Sequence, residues 1–173
     1  MDTTKDRLDF LQKIFENINH WLDFAEAKNA ALIALNIALL AALSALTSYK
    51  SAMFLASLIM ICLIISSLIV LLSFIPAVSV RSVPGHRSAV TDNLIYYGNI
   101  SKFAKADYIK AFYRRYWDNS DMDLQEVPKV LEDYFDEILT NSKIAARKQV
   151  YFKYGAVIDI FSLVLICLLI ISA

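Results

Sequence analysis

The chain has 173 residues, 58% of them hydrophobic, with only three glycines and three prolines and a mean hydropathy of +0.50, a profile more apolar than a soluble domain of this size tolerates. Lysine plus arginine and aspartate plus glutamate both number 17, so the net charge is zero and no global field marks the chain for nucleic acid. Both cysteines, Cys62 and Cys167, lie inside apolar runs and offer neither a disulfide framework nor metal-ligand spacing.

The first 29 residues hold six acids and four bases and no short apolar core with a small-residue cleavage site, so they do not read as a secretory signal. Leu8, Leu11, Phe15, Ile18, Leu22 and Ala25 recur at alternating steps of three and four and lead into the next apolar run without a glycine or proline. This pattern predicts one helix from about Thr4 to Thr47. Ala30 to Thr47 is an apolar run of 18 residues interrupted by Asn36 and Ser44, and Ala52 to Ile75 is 24 residues without a charge. Each can cross a hydrocarbon core about 30 Å thick at about 1.5 Å per residue. Only residues 48–51 separate them, which predicts an antiparallel hairpin.

The segment 77–154 is polar by comparison. A helix is predicted within Ser101 to Trp117, presenting Phe103, Ala106, Ile109, Ala111, Phe112, Tyr113 and Tyr116. Asp118, Asn119, Ser120 and Asp121 break the chain, Asp123 or Ser120 is the expected cap of the last helix, and Pro128 fits only its first turn. The seam returns in Leu131, Phe135, Ile138, Ser142, Ala145, Gln149 and Phe152, running into a third apolar run of 19 residues, Gly155 to Ala173, interrupted by Asp159. Sixteen of the 17 cations lie before the first span or between the second and third, with Lys50 alone in the hairpin turn. The positive-inside rule then puts the N-terminus and residues 77–154 in the cytoplasm and the C-terminus outside. The expected fold is all-α, with three membrane spans and a small cytosolic helical bundle. Its parts are an amphipathic helix over 1–29, a transmembrane hairpin over 30–76, a cytosolic region over 77–154 and a third span over 155–173. The exposed seams predict a homo-oligomer.

Catalytic signatures are missing. His20 and His86 are far apart, and there is no phosphate loop, serine elbow or zinc-binding histidine pair, so neither an enzyme nor a metal site is expected. Asp118, Asp121 and Asp123 lack the glycine and closing glutamate of a calcium loop. Two features carry more chemistry. Asn36 and Asp159 lie inside spans, where a polar residue is a candidate for a gate or for helix pairing. Arg81, His86, Arg87, Asn93, Tyr96, Tyr97, Asn99 and Lys102 gather cations for a phosphate, planar rings for stacking and amides for base edges, and Gly98 would let the backbone turn after the tyrosines. An interfacial tyrosine belt and an ordinary Pro84-Gly85 turn are the alternative reading.

The stretch WLDFAEAKNAALIALNIALLAAL resembles the opening of the Pycsar transmembrane effector family, with an Ala-x-x-Lys approach to a first span and an asparagine within it. NLIYYGNI is similar to that family's aromatic-aromatic-Gly segment, and DYFDEILTNSKIAARKQVYFKY to its final helix. The matched positions are Lys28, Asn36, Asn93, Tyr97, Gly98, Asn141, Ser142, Lys153 and Tyr154. The resemblance implies a bacterial anti-phage effector of the inner membrane with no cofactor. A partner cyclase makes cyclic CMP or cyclic UMP, the effector senses it, and loss of membrane integrity aborts the infection. A scaffold or accessory subunit docking a cytosolic partner through its helices is the alternative.

Overall fold

The computed structural model describes residues 3–46, 53–76, 92–119 and 122–172, and every regular element among them is helical. In chain order these are α1 (Thr4–Leu46), α2 (Met53–Leu71) continued by a 3-10 turn over Leu72–Phe74, the single turn α3 (Tyr97–Ile100), α4 (Lys105–Tyr116), a 3-10 turn over Leu124–Glu126, and α5 (Lys129–Ser172). The expected all-α class is what is observed, and α1, α2 and α5 are long and apolar enough to cross a membrane. The chain forms two compact units, one of Met1–Asp23 with Ala77–Ala146, the other of Phe24–Pro76 with Arg147–Ala173.

Continuity of α1 over 43 residues follows from a stretch without glycine or proline. Its start is fixed by Thr3, whose hydroxyl accepts from the Asp6 amide at 3.2 Å. In the first unit α1 buries Leu11, Ile14 and Ile18 against Tyr108 and Phe112 of α4 and Leu131, Phe135 and Ile138 of α5. Most of the expected seam is therefore inside. Ala106 is exposed, however, and Tyr108 is fully buried in the face it was expected to share. Burial is possible for this tyrosine because its hydroxyl donates to the Leu94 carbonyl at 2.9 Å. The Phe112 ring centroid lies 5.2 Å from those of both Phe135 and Trp117, so aromatic edges dominate this core. One polar pair crosses it: Asn141 Nδ2 donates to Asn19 Oδ1 at 2.8 Å.

Helix α4 ends as expected, with Asp118 in the left-handed region at φ 49°. Asp123 caps the 3-10 turn and not α5: its carboxylate accepts from the Gln125 amide at 3.0 Å. Pro128 stands just before α5, and its carbonyl accepts from the Leu131 and Glu132 amides. A residue without an N–H is costless there.

In the second unit Leu43, Ala56, Ile59, Leu63 and Leu169 form an apolar centre. Its outer surface is also apolar, with Phe54, Ile61, Leu68, Ile160 and Ile171 all exposed. A protein that keeps its outside as greasy as its inside is built for lipid. Gly155 is buried where α5 passes α2 and α1. A Cβ there would stand 2.4 Å from Val70 Cγ2 and 3.2 Å from Leu32 Cδ2, so only a glycine permits this approach.

Candidate functional site

Residues 92–102 belong to the first unit and form a braced loop leading into α3. Asn93 spends its side chain on its own turn, accepting from the Ile95 amide at 3.0 Å. Asn99 Nδ2 donates to Asp92 Oδ1 at 3.3 Å, and Arg115 donates to the Asp92 carbonyl. Lys102 is exposed. The loop is thus held from α4 by Arg115 and Tyr108, neither of which the sequence pattern singled out.

The tyrosine pair splits into two roles. Tyr97 is 9% exposed, whereas Tyr96 is 39% exposed. Their ring centroids are 4.6 Å apart, and Trp21 of α1 joins them at 5.4 Å from Tyr97 and 6.4 Å from Tyr96. Burial, helped by a hydrogen bond with the Tyr96 side chain, pushes the Tyr97 pKa up to about 12. Gly98 does not make the expected backbone turn, since it lies within α3. What sits over it is the Tyr96 ring, whose Cε1 would stand 2.6 Å from an added Cβ, so a larger residue would push this partly exposed ring aside. The structure therefore brings Tyr96, Tyr97, Gly98 and Asn99 together around Trp21 and leaves Asn93 and Lys102 at the surface. Arg81, His86 and Arg87 lie outside the described residues.

The polar residues of the spans meet within the second unit. Asn36 Nδ2 donates to Ser66 Oγ and to Ser67 Oγ, both at 3.2 Å. Ser66 Oγ donates onward to the Gly155 carbonyl at 3.1 Å, and Ser67 Oγ to the Leu63 carbonyl at 2.9 Å. Asp159, 2% exposed, stands beside Ser66 and Asn36. Both neighbours come within reach of the carboxyl, but their well-formed hydrogen bonds go elsewhere, and neither carboxylate oxygen has a partner of good geometry. Nearer the ends of the spans, Lys28 Nζ donates to Gln149 Oε1 at 2.9 Å and sits 4.2 Å from the Phe152 ring centroid. Lys148 Nζ reaches the Ser73 carbonyl and Glu26, each at 3.0 Å. These two lysines tie helix to helix.

The family model described as PycTM, the Pycsar effector protein domain, matches residues 10–173. The chain belongs to the Pycsar effector family. No curated protein and no solved structure matches the chain. As a Pycsar effector it is an anti-phage membrane protein, and membership implies a system with a partner cyclase. The match takes in the Trp21 and tyrosine cluster and the Asn36–Ser66–Asp159 cluster alike. Sequence periodicity missed Trp21 and Ser66. A tryptophan beside His20 in a polar stretch was a signal for the first; a serine within a span carries no comparable signal.

Proposed function

We propose that this Pycsar effector senses a cyclic pyrimidine mononucleotide, cyclic CMP or cyclic UMP, made by its partner cyclase, and answers by impairing the integrity of the inner membrane so that infection aborts. The observation that carries the reading is the partly exposed Tyr96 ring, backed by Tyr97 and Trp21, with Asn93 and Lys102 exposed on the same loop. A planar base can stack on such a ring while amide and ammonium groups meet its polar edge and phosphate. Arg81 and Arg87 are the proposed phosphate partners. In this reading the first unit lies in the cytoplasm, the C-terminus lies outside, and protomers assemble into a homo-oligomer through surfaces other than the α1 and α5 seam, most of which is buried within the protomer. No catalytic step is needed: a ligand shifts a resting-to-disruptive equilibrium by its differential affinity for the two states. The helices α1 and α5 each supply residues to both units, which supports a sensor and a membrane device in one chain.

The test is calorimetry of the purified protein with cyclic CMP, cyclic UMP and cyclic AMP. A pyrimidine form is expected to bind, and Tyr96→Ala is expected to lose about 1–3 kcal/mol of stacking, an affinity loss of about tenfold or more. Equal binding of the three nucleotides, or unchanged affinity in Tyr96→Ala, refutes the site.

A further inference from the structure

The hydrogen atoms around Asp159 are already committed. Each serine hydroxyl has a single hydrogen, and those of Ser66 and Ser67 point to the Gly155 and Leu63 carbonyls. Both serines can then only accept from Asn36, which fixes the amide with its Nδ2 toward them. That orientation leaves Asn36 Oδ1 buried without a partner, alongside both oxygens of Asp159. Three buried acceptors therefore share a neighbourhood in which every donor is spent.

No charge compensates the carboxyl. The groups that face it are the neutral Asn36 of α1 and Ser66 of α2, and no titratable or charged side chain faces it among the described residues. On α5 itself Lys153, about 9 Å away along the helix at about 1.5 Å per residue, is exposed, and Lys148, further off, is held by Glu26 and Ser73. An isolated carboxylate at 2% exposure, within helices whose outer surface is apolar, is far more costly than the neutral acid.

We propose that Asp159 carries its acid proton in the resting protein, and that this proton is the hydrogen-bond donor the Asn36–Ser66–Asp159 cluster otherwise lacks. The site binds one proton at the junction of three apolar helices. Ionisation would place a net charge there, and the cheapest relief is entry of water or separation of α5 from its neighbours. The inference rests on the second unit being embedded in a membrane and is independent of which nucleotide is sensed.

Infrared spectroscopy of the full chain in lipid vesicles tests it. At neutral pH the wild type is expected to show the carbonyl stretch of a protonated carboxylic acid, which is lost in Asp159→Asn, shifted in Asp159→Glu and abolished as pH rises. The isosteric Asp159→Asn variant is expected to match the wild type at acid pH, to be the more stable of the two at neutral pH, and to lack the part of the wild-type decline that begins as pH rises above about 4, the ordinary aspartate value. The Asp159→Glu shift assigns the band even if Asp159→Asn misfolds. A wild-type spectrum without an acid carbonyl band, or a band unchanged in both variants, overturns the proposal. So does a band that sodium salts abolish and potassium salts do not, because the three oxygens would then hold a metal ion.

Discussion

Replacing Gly155 with alanine inserts one methyl group where α5 meets α2. The added Cβ would fall 2.4 Å from Val70 Cγ2, 3.2 Å from Leu32 Cδ2 and 3.3 Å from Ser66 Oγ. Val70 is fully buried and β-branched, so its side chain has one strongly preferred rotamer in a helix and cannot swing aside. Relief must come from the helices moving apart, and overpacking of this kind costs about 1–3 kcal/mol. Alanine returns about 1 kcal/mol through its better helix propensity. The expected net loss is about 0–2 kcal/mol, read as reversible unfolding in mixed micelles at neutral pH. Displacement of α5 also strains the bond from Ser66 to the Gly155 carbonyl. Gly155→Ala combined with Val70→Ala removes the obstructing methyl and is expected to recover part of the loss, whereas Val70→Ala alone destabilises. A Gly155→Ala variant more stable than wild type, or a double variant whose effects simply add, refutes the close-approach argument.

Two further outcomes are expected. The unfolded chain releases a tyrosine proton near the ordinary value of about 10, while folded Tyr97 keeps its own up to about 12. The unfolded state therefore sheds protons first, stability of the first unit falls as pH rises through that window, and Tyr97→Phe flattens the decline in an alkaline denaturation series. An unchanged slope in the variant removes Tyr97 from the account. For topology, a reporter fused at Ala173 is expected to read the extracytoplasmic side and one inserted near Ser120 the cytoplasm; both on one side contradicts the three-span arrangement.

Long elements were legible because their signal is repeated many times. Leu11, Ile18 and Ala25 of α1 and Leu131, Phe135 and Ile138 of α5 are buried where the three-and-four spacing puts them. Tyr108 escaped because a tyrosine suits either face of a helix, and only the distant Leu94 carbonyl decides for the inside. Gly98 was read as a backbone turn, yet it lies inside a helical turn and what it gives is room for the ring two residues earlier to lie over it. The tyrosine pair, Asn36 and Asp159 were visible as misfits against their surroundings. Trp21 and Ser66 were not, because what they contribute is contact with residues far away in sequence, and periodicity carries no record of that.

The hydrogen bond between Asn141 and Asn19 has a mechanical consequence for the first unit. An apolar seam alone tolerates sliding, since leucine and isoleucine accept one another at many offsets. A lone amide pair resists it, because a slip of one turn, about 5.4 Å, would break a bond that the half-buried amides make only in this register. The pair works as a detent. Within this unit it marks one register of α1 against α5, and a sliding motion has to break it where a change of tilt or spacing can keep it.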